Sequence, residues 1–512
     1  MTTLRGFIEF WRGELPHAAA ARWASLFFTL HVLTLLLSVA ASEAFLAAAG
    51  IAFLVYLLRP RPVPVGAGSA RAIYFPPFKL PLVLFCLCTF NSVLWSRDPA
   101  LGGFALRKLV LFLSLLLSVN LVTSARHLLA LLRGLFLEAA LAGLLGIAQF
   151  LIQYQRVRHF HPHFAYSYLT VTRIHGFMGH WMNFGGQQML LFGALLAFLL
   201  LFNPRIPSPE SNLALSRPES QITDQGEIPR GARKDAVQDG RATKLYGLAL
   251  TVVSISLLLN LTRGVWLGCL VATLYVLARR KPRMLWVVPV LLLVVGLASP
   301  SLIRRRLSMV FHPSQDPSLA IRVEMWGVGL RMIREHPWVG VGPGNIPVLY
   351  TKYLPPGTTP IVGYHDHLHD NFVQLAAERG VPCLIAWIWF MLAVGGQVLR
   401  TRRRLSDQLW VADAAFAAWL AFLAEGFFEF NFGASPVLMV FLFLMSAPFI
   451  AERCDRQSDL PLTPPARAEE NGGASHPLPQ RGEGRELLAG EGMRIVAPHS
   501  SLVARHCTQD GF

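Results

Sequence analysis

The chain has 512 residues, 53% of them apolar and only 15% charged, with a mean hydropathy of +0.45. That composition excludes an ordinary water-soluble domain and marks a protein built to sit in lipid. The 46 Lys and Arg against 30 Asp and Glu leave a net charge of +16, but no basic stretch carries interleaved aromatics or a docking motif, so no nucleic acid is expected as a partner. The excess fits Lys and Arg gathering in loops on one side of a bilayer. None of the six cysteines, Cys86, Cys88, Cys269, Cys383, Cys454 and Cys507, lies in a long loop open to an oxidising compartment, so no disulfide framework is expected.

Residues 1–22 bring Arg5, Arg12 and Arg22 to an apolar run from Trp23 to Ala41, and a second run follows almost at once. That spacing favours a retained first helix over a cleaved signal. A membrane span needs roughly 20 mostly apolar residues. Runs near that length occur at 24–41, 44–58, 79–95, 104–122, 128–153 and 186–202, within 23–202. Others follow at 245–261, 264–278 and 285–298, and at 383–399, 409–428 and 436–450. With the N-terminus inside, the clusters Arg279, Arg280, Lys281, Arg283 and Arg400, Arg402, Arg403, Arg404 fall on the cytoplasmic side, as short basic loops should. Arg107 and Lys108 fall near the outer face, against that rule. The polar stretch 203–244 and the tail 451–512, rich in Pro, Ser, Gly and Glu, read as a disordered cytoplasmic linker and tail. Since lipid leaves a backbone only helices or closed barrels, the expected fold is all-α: a polytopic membrane helical bundle of about 12 transmembrane helices, with a helical domain in the loop 299–382 on the outer face.

Polar residues concentrate on that outer face. In the loop 154–185, Arg173 precedes His175, His180 and Asn183. Arg263 sits in a tight turn between two apolar runs, where a guanidinium is costly unless it meets an anion or a lipid headgroup. The planar fork suits a phosphate better than lysine would. In the long loop, Val323, Trp326, Leu330 and Ile333 recur at helical spacing, with Arg322 on another face. The following Gly340–Asn345 turn is glycine-rich and could bring backbone amides to a ligand or merely end the helix. His365, His367 and His369 then alternate, ahead of Asp370 and an amphipathic helix. They fit solvated loop residues, zinc ligands, or one general base of near-neutral pKa. Glu425 and Glu429 close the eleventh span and could balance the arginines, while Glu138 in the fifth span needs a partner or water.

The stretches Arg173–Gly186, Leu261–Gly268, Arg322–Asn345 and His369–Gly380 resemble the O-antigen ligase and polysaccharide polymerase family of bacterial envelope glycosyltransferases. The likeness runs from about Arg173 to Ile450. Arg263 with Leu267, and His369 with Gly380, match the spacing of the ligase signature; Asp370 and Cys383 depart from it. The resemblance implies a GT-C-like membrane enzyme in the bacterial inner membrane with its active site facing the periplasm. It would move a glycan from undecaprenyl diphosphate to an acceptor sugar, either lipid A core or a second carrier-linked glycan, with no cofactor or metal. Arg173, Arg263 and Arg322 would hold the diphosphate. His369 would be the catalytic base, supported by His365, His367, Asp370 and Glu425. A polymerase of the same family is the first alternative. A transporter or flippase is the alternative of another class, although no internal repeat is visible and the polar groups cluster at outer helix ends.

Overall fold

The computed structural model describes residues 13, 16, 18–59, 73–160, 173–202, 230–298, 317–359, 366–406 and 408–458, all within one compact unit, Met1–Leu460. Among them the regular elements are helices: α1 Ala19–Val32, α2 Val39–Leu58, α3 Lys79–Leu94, α4 Pro99–Leu109, α5 Leu113–Leu121, α6 Ala125–Phe160, α7 Trp181–Leu201 and α8 Arg230–Asn260. They continue with α9 Arg263–Arg280, α10 Val287–Ala298, α11 Pro317–Glu335, α12 Asn371–Arg379, α13 Val381–Arg402, α14 Leu409–Gly426 and α15 Ser435–Ser458. The protein is therefore an all-α, polytopic membrane protein.

Each apolar run meets a helix, but the number that qualifies as spans is smaller than twelve. Among the described residues, 8 helices are long and apolar enough to cross a membrane, with α4 and α5 counting as one, Pro99–Leu121. α1 has 14 residues, α3 has 16 and α10 has 12. α9 has 18 but begins with Arg263 and ends with Arg279 and Arg280. The helix α8 starts at Arg230, so the last part of the segment expected to be a linker is helical; 203–229 and the tail from 459 lie outside the described residues. α6, at 36 residues, is longer than any membrane requires.

The run expected at 24–41 is broken. α1 stops at Val32, and 33–37 form turns held by i→i+3 bonds such as Leu35 N to Val32 O and Leu37 N to Thr34 O. Ser38 then caps α2 by accepting from the Ala41 amide. Carbonyls freed by such a break cannot turn to water inside lipid. Gln187 on α7 meets one of them, donating from Nε2 to Leu35 O at 2.9 Å. Glu138 on α6 faces the same break, near the Leu36 amide.

α7, α14 and α15 form the centre: 72%, 72% and 89% of their spans are buried, against 22% for α2. Around them Phe78, Phe85, Phe112, Phe390, Phe432 and Trp387 interlock largely edge to face. The outer loop adds a small core of its own, in which Met325, Val328 and Met332 of α11 pack on Ile346, Tyr350, Leu368 and Ala377.

The two ends of the bundle differ in charge chemistry. At the end holding the arginine clusters, the carboxylate of Asp413, 2% exposed, accepts from Arg402 Nε at 2.7 Å and Tyr275 Oη at 2.7 Å, with Arg279 Nε at 3.5 Å. This one acid joins α9, α13 and α14. Glu452 does the same for Thr401, Arg404 and Arg456. Replacing Asp413 with Ala strands two guanidiniums and a phenol; we expect a loss on the order of 2–3 kcal/mol, read as a lower thermal midpoint of the purified protein in nanodiscs.

Candidate functional site

At the opposite end, residues 173–186, 260–268, 366–380 and 425–433 converge. The turn from α8 to α9 passes through Leu261 at φ 56°. Asn260, fully buried, ties it to α7 by donating from Nδ2 to Trp181 O at 2.8 Å. α9 begins at Arg263, and the bare Gly264 behind it lies close against Glu425 and Phe428: a Cβ there would sit 3.5 Å from Glu425 Cγ. Arg263 therefore stands beside the end of α14. Arg173, on the approach to α7, lays its guanidinium over the Trp181 ring at 5.2 Å, and His180 stacks on that indole at 4.0 Å.

The third stretch is bent rather than extended. His369 adopts φ 49°, and Leu368 N is held by Gln374 Oε1 at 2.7 Å. The bend turns two alternate histidines to one side, so that the His367 and His369 rings lie 4.1 Å apart. Asp370 acts locally, since its carboxylate caps α12 by accepting from the Val373 amide at 2.7 Å. Its pKa is raised by burial, against the pull of the Val373 and Phe372 amides.

The fourth stretch supplies what the histidines meet. Asn431, 2% exposed, donates to Phe422 O at 2.9 Å and Glu425 Oε2 at 3.1 Å, and accepts from Asn371 Nδ2 at 2.7 Å. Asn371 Oδ1 in turn accepts from Phe432 N at 3.1 Å, so the start of α12 is locked to the turn after α14. The lock brings Glu429 Oε2 to 2.8 Å from His369 Nδ1, with Oε1 3.7 Å from His367 Nε2. With a carboxylate as acceptor, the proton is assigned to Nδ1 of His369 and Nε2 is left with its lone pair. Burial works against the Glu429 charge, but the His369 hydrogen bond and the charges of His367, His369 and Arg322 outweigh it and hold the carboxyl below its usual range. His180 feels Glu429, Arg173 and His369 as well, though burial dominates and lowers its pKa.

Arg322, His367 and His369 thus gather around one carboxylate, with Arg263 beside the end of α14 near Glu425 and Arg173 over the Trp181 ring. Glu425 itself contacts Asn431 rather than a histidine; the acid on the histidines is Glu429. His365 lies outside the described residues. Donor atoms of His367, His369 and Glu429 lie within 4.8 Å of one another, close enough for one cation to bridge. The Gly340–Asn345 turn does not offer its amides to a ligand. Val341 N and Gly342 N bond to Ala377 O and Glu378 O, each at 2.9 Å, and Gly344 N to Glu378 Oε1 at 3.0 Å. The loop is used to dock α11 on α12. Gly380, at φ 82°, completes that joint, since a Cβ there would lie 2.3 Å from Trp338 O.

Residues 248–388 match the model of the O-antigen ligase family. The chain carries an O-antigen ligase family domain. A search of curated proteins returns no match. The matched residues contain Arg263, Arg322, His367 and His369, while Arg173, Glu425 and Glu429 come from segments on either side of them.

Burial pushes the His367 imidazole down to about 4, against the pull of Glu429. The unfolded chain takes up this proton near the ordinary value of 6.5, the folded chain only near 4. Stability is therefore whole above about pH 6.5 and declines as pH falls toward 4. The depressed Glu429 acts in a more acid window: its contribution is present above the ordinary carboxylate value and is lost as pH falls through the folded one. Thermal midpoints measured across that range should fall with acid, and less steeply in His367→Phe.

Proposed function

We propose that this protein is a membrane glycosyltransferase of the ligase type, which moves a glycan from undecaprenyl diphosphate to a hydroxyl of an acceptor sugar at the periplasmic face of the bacterial inner membrane. The observation that carries this reading is the 2.8 Å pair between His369 Nδ1 and Glu429, set among arginines beside the membrane-spanning helices. A base oriented by a buried carboxylate is the arrangement that proton abstraction from a sugar hydroxyl requires.

In the step proposed, Nε2 of His369 takes the acceptor hydroxyl proton while the oxygen attacks the anomeric carbon. The bond from that carbon to the diphosphate oxygen breaks, and the diphosphate leaves with the electron pair. Arg173, Arg263 and Arg322 hold the donor and stabilise the charge that develops on it. Glu429 stabilises the imidazolium that forms. Attack from the face opposite the leaving group inverts the anomeric centre. The acceptor is lipid A core in the ligase reading. It is a second carrier-linked glycan in the polymerase reading, and the layout of the site suits both.

A second reading rests on one observation, the His367, His369 and Glu429 cluster, which would hold a divalent cation in place of the base. The two predict different chemistry. In membranes supplied with carrier-linked glycan, transfer should survive chelation, whereas loss on chelation restored by zinc would move the site to the metal. His369→Ala should lower transfer about 10²–10⁴-fold. Arg263→Lys, which keeps the charge without the fork, should lower it at least about tenfold. Both variants should insert normally. In a deletion strain complemented with each variant, glycan attached to lipid A core marks a ligase, and restored chain length marks a polymerase. Full complementation by both variants would remove the proposed site and favour a transporter.

A further inference from the structure

The site leans on helices that lie outside the matched domain. Four side chains between Thr89 and Lys108 reach it. Thr89 Oγ1 accepts from Arg379 Nη1 at 3.2 Å, and Ser92 Oγ donates to Val339 O at 2.7 Å. Ser96 Oγ accepts from Asn345 Nδ2 at 2.8 Å. These three fasten the outer loop. The fourth goes elsewhere: Lys108 donates from Nζ to the carbonyl of Gly433 at 2.6 Å.

Lys108 stands ten residues beyond the cap Asp98, about 15 Å along the helix, within the span Pro99–Leu121. A lysine inside an apolar span is costly and persists where it has a role. Its neighbours in charge are Glu378, Arg379, Glu43 and Arg107. Its hydrogen-bond acceptor is a neutral carbonyl, in the short helix Asn431–Gly433. That helix holds Asn431, and through it Asn371, in the lock that sets Glu429 against His369. Gly433 is itself hemmed in, since a Cβ there would collide with the Phe430 ring. The turn has a wall on one side and the ammonium on the other.

We propose that Lys108 is a positioning residue, which pins the Asn431–Gly433 turn and thereby keeps Glu429 in hydrogen-bond register with His369. This also accounts for a basic residue near the outer face. The role in catalysis rests on the glycosyl-transfer reading; the positioning does not.

Full-length protein carrying ¹⁵N-histidine, placed in nanodiscs of phosphatidylethanolamine and phosphatidylglycerol, separates the two, with the His369 signals identified by their loss in His369→Gln. Wild type should show a protonated Nδ1 in a strong hydrogen bond. Lys108→Met should weaken or abolish that signal while the protein elutes as wild type, and Lys108→Arg should restore it. If Lys108→Met does not fold, Lys108→Gln carries the same measurement. With extracted carrier-linked glycan as donor, kcat in Lys108→Met should drop about tenfold with KM changed less than about twofold. An unaltered Nδ1 proton in a folded Lys108→Met or Lys108→Gln overturns the proposal. An altered proton without glycan transfer in wild type overturns the transfer reading and leaves the positioning role standing.

Discussion

A carboxylate buried at the lip of an apolar bundle has to be compensated, and at Glu429 the compensation comes from another part of the chain. Desolvation disfavours its charge, so it persists only while His369, His367 and Arg322 face it. None of these lies on its own helix. The outer loop packed on the bundle supplies the partners that offset the burial of this carboxylate. Asn371 and Asn431 make that packing specific, because each hydrogen bond fixes both partners.

The same physics runs at the other end with different partners. Asp413 and Glu452 bind guanidiniums, whose protonation does not change at any pH a cell meets. Those acids staple helix ends and stay as they are. Glu429 instead binds imidazoles, side chains that can carry a proton or give it up. The contrast between guanidinium and imidazole partners is what distinguishes a fastening from a site able to handle protons.

Much of this was legible in the sequence. The apolar runs, the two arginine clusters and the isolated Arg263 follow from the cost of charge in lipid, which acts residue by residue. The choice of His369 came instead from its spacing to Gly380. Other features depend on where distant segments meet. Glu429 was visible as half of an acidic pair, but nothing in the pattern tells which of two acids one turn apart will face the histidines; Asn431 decides it by engaging Glu425 and leaving Glu429 to them. The glycines at 340, 342 and 344 carry the composition of a ligand-binding loop, yet the amides of that turn go to Ala377 and Glu378. Composition cannot distinguish a loop that receives a ligand from one that receives a helix. The break after α1 is silent for the same reason, since its freed carbonyl is satisfied from 152 residues away.

The length of α6 has a consequence for what surrounds the site. Thirty-six residues reach about 54 Å, against a hydrocarbon layer of about 30 Å. A helix that enters the membrane near Ala125 and runs on without a break rises well past the headgroups. Its last turns carry exposed Gln155, Arg156, Arg158, His159 and Phe160. At that height the neighbours are water rather than acyl chains. The protein thus carries a basic and aromatic post at the end of α6 on one flank.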